Sequence, residues 1–467
     1  MATEIAMSPD LPTPSLARRI TSGLTVLGLT LFLVTFVVPW VTGTAPWGGL
    51  GALSLLVPIA VLTLGGGIGW ILTLYLGTDP GIKNDNTFFS GLQLRGLWGW
   101  IAGIAFTAFY VVLYWFPAVL EGPIRLMDPV AMAITGHQAD QWFLYGTLYT
   151  VLVLVFGLRM AYRYRHNRYQ LIRTGSVSFF QLGFAWLIPH FLARLHAPEY
   201  YATYFWPLKP EYAYPPAHGG YLFDAGVIGT VMVVISAVMI LVVTPVLTYF
   251  YGKRWYCSWV CGCGGLAETL GDPWRHLSDK SVTAWRIERI SIYAVLVFVV
   301  LTTGLLWLDW ALGSAVLSGV SEGFRSWYGF LIGAAFSGVI GVGFYPLLGS
   351  RVWCRFGCPM AALLGLQQRF FSRFRITTNG GQCISCGNCS TYCEMGIDVR
   401  AYAQREENII RASCVGCGIC AAVCPRGVLK LENGPVGDRY DHADKPLTAI
   451  LEALGQPPLG ELRSREE

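Results

Sequence analysis

Cys383-Ile-Ser-Cys386-Gly-Asn-Cys389-Ser-Thr-Tyr-Cys393 and Cys414-Val-Gly-Cys417-Gly-Ile-Cys420-Ala-Ala-Val-Cys424-Pro425 share one spacing, C-x2-C-x2-C-x3-C. Thiolates at i, i+3 and i+6 cap three corners of an iron–sulfur cube from one tight loop. In two-cluster ferredoxins the fourth cysteine ligates the other cube. On that pattern one [4Fe–4S] cluster takes Cys383, Cys386, Cys389 and Cys424, and a second takes Cys414, Cys417, Cys420 and Cys393. Gly387, Gly416 and Gly418 let backbone N–H groups approach the sulfurs, which helps hold the charge of a reduced cube. Zinc knuckles and disulfides are the competing readings, but zinc sites usually pair two C-x2-C units across a longer gap. Pro425 completes the signature, whereas Cys393 is followed by Glu394.

Around that block the composition is not that of a soluble protein. The 467 residues are 54% hydrophobic and 13% charged, with 17 tryptophans, against about 25% charged in an ordinary soluble domain. The expected fold is therefore mainly α. A polytopic membrane bundle of about eight spans is followed by a small α+β ferredoxin domain. All 13 cysteines lie at or beyond Cys257, a clustering that points to reduced, metal-loaded thiols and not to a secretory disulfide framework. The net charge of +5 fits a surface beside anionic membrane lipid and gives no reason to expect nucleic acid.

Apolar runs long enough to span lie at about 20–42, 51–77, 97–119, 142–158, 176–193, 225–250, 290–308 and 328–348. The first lacks a convincing cleavage site and reads as a retained helix. With the N-terminus inside, the membrane-proximal inner segments hold 20 Lys/Arg and the outer ones four: Arg125, Arg194, Lys209 and Arg325. Basic residues gather in cytoplasmic loops, so the expected setting is a multi-pass protein of the cytoplasmic membrane, with the N-terminus and ferredoxin domain in the cytoplasm. The domains divide as a tail (1–19), a transmembrane domain (20–375), the ferredoxin domain (376–432) and a C-terminal tail (433–467), which carries a short apolar helix near 447–454.

The spans carry few ionisable groups, His190 within them and Asp309 at a helix end. This argues against a pump and against a bis-histidine haem. His190 reads as a hydrogen-bonded structural residue near the outer interface, with a quinol-site role as the alternative. The stretch 200–223 interleaves nine aromatics with prolines and reads as an interfacial aromatic belt, with quinone entry or partner docking as the alternative.

A second cysteine system sits where spans meet the cytoplasm. Gly252-Lys-Arg254-Trp-Tyr256-Cys257-Ser-Trp-Val-Cys261 and Gly349-Ser-Arg351-Val-Trp353-Cys354-Arg-Phe-Gly-Cys358-Pro359 share Gly, Arg, an aromatic and C-x3-C, as an internal repeat would. Cysteines at i and i+4 face the same way on a helix. Cys257, Cys261, Cys354 and Cys358 are thus candidate ligands of a third metal centre. The plain alternative is that they pack as small apolar groups. Arg254 and Arg351 would compensate thiolate charge or bind lipid phosphate, and Cys263 has no counterpart in the second copy.

Multiple spans, two cytoplasmic C-x3-C motifs and a following two-cluster ferredoxin together resemble the NapH/NosR/CcoG group of membrane polyferredoxins. The resemblance is carried by Tyr256–Cys261, Trp353–Pro359, Cys383–Cys393 and Cys414–Pro425. It implies two [4Fe–4S] clusters and electron movement between the quinone pool and partner redox systems. Gly262 stands where the first motif usually has proline, and nothing corresponds to the NosR flavin domain, so covalent flavin is not implied.

The function expected is that of a membrane-anchored electron carrier or redox subunit, rather than a stand-alone enzyme. It would link quinone, quinol or a cytoplasmic donor to a redox partner protein. A maturation factor that reduces a metal ion such as copper for insertion elsewhere is the alternative, since C-x3-C thiolates suit Cu(I).

Overall fold

The computed structural model describes residues 15–43, 45, 47, 51–76, 80–81, 96–216, 218, 220–313 and 317–434. Most of the two expected tails, with the helix expected near 447–454, lies outside the described residues. Seven described helices are long and apolar enough to cross a membrane. They are α1 (Leu16–Thr42), α2 (Gly51–Tyr75), α3 (Leu97–Trp115), α4 (Gln141–Arg163), α5 (Arg168–Arg194), α6 (Phe223–Tyr251) and, further along, α9 (Val282–Ala311). Between α6 and α9 lie two short helices, α7 (Arg254–Cys257) and α8 (Gly262–Glu268). Side-chain caps start several of the long helices where the apolar pattern begins. Asp140 accepts from the Phe143 N–H, Asn167 from Gln170 and Ser281 from Ala284, each satisfying a donor that the first turn leaves open.

The eighth span, expected at 328–348, takes a different form. The chain turns after α9 into α10, helical over Ser318–Tyr328 and continuing through wider turns over Gly329–Ile340. Ser321 donates to the buried Asp309 carboxylate near the far end of α9, at 3.0 Å, while Phe336 meets Trp353 near its other end. Helix α10 therefore returns alongside α9 to the cysteine-bearing face. Its first half holds Ser318, Ser321, Glu322, Arg325 and Ser326, and so contributes no apolar run that hydropathy could register.

The membrane domain keeps polar side chains inside and turns apolar ones outward. Val227, Leu241, Ile290 and Ile104 are exposed, while Gln181 and Thr150 are buried and hydrogen-bond to each other at 3.0 Å. Such a surface is disfavoured in water and suits lipid, where helices must satisfy every backbone group internally.

After α11 (Pro359–Phe371) the chain enters a small domain. Its two strands, β1 (Arg375–Thr378) and β2 (Leu429–Glu432), pair antiparallel, with Arg375 opposite Glu432 and Thr378 opposite Leu429. Two matching loop-and-helix units lie between them. The first places left-handed Gly387 before a turn of helix at Asn388–Thr391, and the second places left-handed Gly418 before Ile419–Ala422. Left-handed Ser385 in the first loop corresponds to left-handed Gly416 in the second. The fold class is that expected: a helical bundle with membrane-capable helices, followed by a ferredoxin region with little strand.

Candidate metal centres

The chain reversals bring the eight ferredoxin cysteines into two groups. One cavity is lined by Cys383, Cys386, Cys389 and Cys424, with Arg400 and Arg426 at its side. The other is lined by Cys393, Cys414, Cys417 and Cys420, with Ile376, Ile397, Val399 and Ile409 around it. Each cavity thus takes three thiols from one run and the fourth from the other. This crossed arrangement puts four soft donors around one apolar-walled space, and the donor set fits a thiolate-ligated cube. Among the described residues no three His, Cys, Asp or Glu side chains form a group that could hold a single metal ion.

The two cavities differ in setting. The first is distal: Cys386 is exposed, as are Ile384, Ser385, Pro425 and Arg426 beside it. The second is proximal, and the membrane domain grips its loop from several sides. Tyr169 donates its hydroxyl to Gly416 O at 2.8 Å, while Gln170 and Arg173 both donate to Cys417 O at 2.9 Å. Ser258 donates to Val415 O at 2.8 Å, Lys253 to Ala412 O at 3.0 Å and Gln368 to Cys414 O at 2.8 Å. Gly416 and Gly418 are needed for this approach. Besides their positive φ, an added Cβ would lie 2.7 Å from Arg254 Cβ and 2.8 Å from the Tyr169 ring, respectively.

The C-x3-C cysteines lie directly beneath. Cys257, Cys261, Cys354 and Cys358 are buried in a core continuous with Cys389, Cys414 and Cys420, and the thiols lie near enough to influence one another electrostatically. They do not lie on single helices, as the i, i+4 spacing suggests. Cys257 ends α7, and the chain then turns so that extended Cys261 precedes α8. Likewise Cys354 lies in the helical turn Trp353–Gly357, and extended Cys358 caps α11, accepting from the Ala361 N–H at 3.4 Å. Gly252 and Gly349 both adopt positive φ before their motifs. The two copies therefore share backbone conformation as well as sequence, and helix-after-cysteine is the shared element. Burial pushes the Cys257 thiol up to about 12, and Cys354 and Cys358 also upward. The hydrogen bond from Cys263 brings Cys261 down to about 7, helped by the Gly264 N–H and Arg351. Cys263, unassigned by motif, is thus a neighbour of this thiol group. Metal binding at such a site must displace protons from buried thiols.

A buried charge network joins the two cysteine systems, and sequence reading missed its acidic half. Asp272 accepts from Arg159 at 2.8 Å and also from Arg163, while Arg275 lies 3.3 Å away. Arg275 reaches on to Glu394 at 2.7 Å, and Arg351 pairs with Glu394 at 3.0 Å and Glu268 at 2.5 Å. Arg173 closes the chain on Glu268 at 2.9 Å. Arg351 also lies 3.6 Å from Cys354 Sγ and, being fully buried, does not face lipid. Arg254 is likewise held inside, over the Phe374 ring and against Asn433. Burial would raise Asp272, but Arg163, Arg159 and Arg275 hold its carboxyl well below the usual range. For Glu268 burial outweighs Arg173 and Arg351, and its carboxyl is pushed up. Five arginines face three carboxylates, a positive surplus where reduced clusters would place negative charge. The one legible sign was Glu394, standing where the signature has proline.

Two outer features also differ from expectation. Residues 200–223 are partly buried within the chain and do not lie wholly on its surface. Tyr200, Phe205, Tyr212 and Tyr214 are buried, and the loop reaches inward until Thr203 O accepts from the Tyr256 hydroxyl at 2.7 Å, beside Cys257. His190 packs against Phe143 and Trp186, and among the described residues its buried Nε2 has no hydrogen-bond partner.

The comparisons follow this geometry. A 4Fe-4S binding domain family matches twice, at residues 234–281 and 330–377, each match containing one C-x3-C motif. A 4Fe-4S dicluster domain family matches residues 382–429. The chain is similar to the "Putative electron transport protein YccM" of Escherichia coli (strain K12). The two are 28% identical over 172 residues, covering 35% of this chain and 48% of the relative. The chain thus spans about half the length of the curated relative it matches. No solved structure matches it.

Proposed function

We propose that the protein is a membrane-anchored electron-transfer protein of the NapH/NosR/CcoG type. In this reading it passes electrons through two [4Fe–4S] clusters, between quinone or a cytoplasmic donor and a partner redox enzyme. The observation that carries the reading is the pair of crossed four-cysteine cavities. Cys383, Cys386, Cys389 and Cys424 hold one cluster, and Cys393, Cys414, Cys417 and Cys420 hold the other. When bound, the clusters supply one-electron redox chemistry, and the chain tunes it by burial and hydrogen bonding.

The residues around the two sites divide the work. The exposed rim of Cys386, Ile384 and Pro425 leaves the distal site open to a soluble partner. Tyr169, Gln170, Arg173, Ser258 and Gln368 clamp the proximal site onto the membrane domain, above the candidate third centre of Cys257, Cys261, Cys354 and Cys358. The basic inner segments support a cytoplasmic ferredoxin domain, spanning 376–432, in the inner membrane.

Iron and acid-labile sulfide per chain test the assignment. About eight irons correspond to two cubes and about twelve to three, while four or fewer would refute the two-cluster reading. Clusters that neither quinol analogues reduce nor quinones oxidise would remove the quinone link. Stoichiometric copper lost in Cys257→Ser and Cys354→Ser, with about eight irons retained, would favour the maturation-factor alternative.

A further inference from the structure

A cleft of about 220 Å³ opens where three parts of the chain meet. Trp285, Glu288 and Arg289 of α9 form one wall, Gly365 and Arg369 of α11 a second, and Arg411 to Ser413 of the ferredoxin domain the third. Three guanidiniums thus reach one space from three separate elements. Arg289 and Arg411 both lie over the Trp285 ring, at 5.0 and 5.3 Å from its centroid, which fixes two of them in place. The carboxylate lining the cleft, Glu288, is buried and already engaged by Arg355 at 2.8 Å. Among the described residues Arg289, Arg369 and Arg411 have no acidic partner. This contrasts with Arg159, Arg163, Arg173, Arg275 and Arg351, each of which is matched to a carboxylate.

We infer that this cleft is a binding site for a phosphate-bearing anion, and that its occupant is the headgroup of an anionic phospholipid. Guanidiniums match phosphate oxygens in geometry and charge. Basic pockets between membrane helices, at the boundary with the aqueous phase, are the places where such headgroups bind. The flanks favour lipid over a free anion. Ile410, which lines the cleft, is exposed at 42%, and Phe370 and Phe371 at the end of α11 at 66% and 70%. Acyl chains have apolar surface to lie on beside the cleft. The site also has a structural consequence. Gly365 allows α11 to approach the ferredoxin loop, since an added Cβ would lie 2.8 Å from Ala412 O. The bound headgroup would bridge α9 and α11 to Arg411, three residues before Cys414, and so secure the domain junction beside the proximal cysteines.

Native mass spectrometry of the full-length, metal-loaded protein, released from detergent micelles, tests the assignment. Phosphatidylglycerol and cardiolipin should be retained in preference to phosphatidylcholine. Each arginine near a membrane surface is worth about fivefold in binding, so Arg289→Gln/Arg369→Gln/Arg411→Gln should weaken retention about a hundredfold. Arg405→Gln, on an exposed arginine already paired with Glu407 at 3.3 Å, should leave it unchanged. The visible spectrum of the bound iron reports that the triple variant is folded. Equal retention by the folded triple variant overturns the site. Loss of retention by the control as well shows general surface charge, and overturns it too. Displacement of the lipid by millimolar inorganic phosphate keeps the phosphate chemistry but overturns the lipid as occupant.

Discussion

Glu394→Gln should loosen the ferredoxin domain from its base without changing its shape. The Glu394 carboxylate is buried between Arg275 at 2.7 Å and Arg351 at 3.0 Å, and its own carbonyl accepts from Ser278 at 2.7 Å. Removing one member of a buried ion pair typically costs about 3–5 kcal/mol, because a charge is left uncompensated. Two pairs are lost here, but neither arginine is stranded. Arg275 keeps Asp272 at 3.3 Å and Arg351 keeps Glu268 at 2.5 Å. The glutamine carbonyl can still accept one hydrogen bond. The net cost should therefore fall near the low end, about 3 kcal/mol. That corresponds to a roughly 150-fold rise in the open population of the junction. Hydrogen exchange of the amides over residues 411–418 reads this opening directly, with the metal-loaded protein in detergent as sample. Glu407→Gln is the control, since the Glu407–Arg405 pair is exposed and such pairs contribute about 0–1 kcal/mol. If Glu394→Gln speeds exchange by less than about threefold, the network is not what holds the domain.

Four further outcomes follow from the same geometry. Asp272→Asn should destabilise the protein by about 3–5 kcal/mol at pH 7. The folded pKa of Asp272 is depressed, so its contribution is fully present above the unfolded value of about 3.9 and is lost only as pH falls through the folded one; thermal melts across pH 5–8 should therefore show a constant deficit. Cys386→Ser should remove up to about four irons per chain and spare the proximal cluster, as read by iron content and by electron paramagnetic resonance of the remainder. Gly264→Ala would place a Cβ 2.0 Å from Cys257 O, so the first C-x3-C loop must move. A cost of about 1–3 kcal/mol should appear as a lower melting temperature with the ferredoxin iron retained. Ser385→Gly relieves a left-handed residue worth about 1–2 kcal/mol, offset by the bond that Gln404 donates to Ser385 Oγ at 2.6 Å, so its melting temperature should rise by little or not at all.

Local pattern and tertiary structure settled different parts of this protein. The cysteine spacing accounts for three thiols of each cavity, because each set of three is a single loop whose geometry depends on neighbours a few residues away, whereas the fourth comes from the other run. The seven apolar helices were legible for a similar reason, since length and hydropathy decide whether a segment can cross lipid. Where those local signals fade, so did the reading. The amphipathic start of α10 hid the bounds of the helix that stands where an eighth span was expected. The i, i+4 spacing of Cys257 and Cys261 implied one helix, yet the chain breaks between them because Cys261 is extended and begins the next helix.

The charge network lay out of reach altogether. Arg351 and Glu268 stand 83 residues apart, and Arg275 and Glu394 stand 119 apart. Nothing in either local sequence announces a partner. An arginine beside a thiol motif could equally have served thiolate, lipid or carboxylate, and only burial among carboxylates chose. The same holds for the asymmetry of the two cavities. Their motifs are alike, but one loop meets Tyr169, Arg173, Ser258 and Gln368, while the other meets solvent. Sequence by itself determined which thiols stand together and how the chain can cross a membrane. Tertiary structure decided which thiol group faces the membrane domain, what neutralises the buried charge beside it, and where three arginines line one cleft without, among the described residues, a carboxylate partner. Those facts depend on residues brought together by the fold, which no periodicity along the chain records.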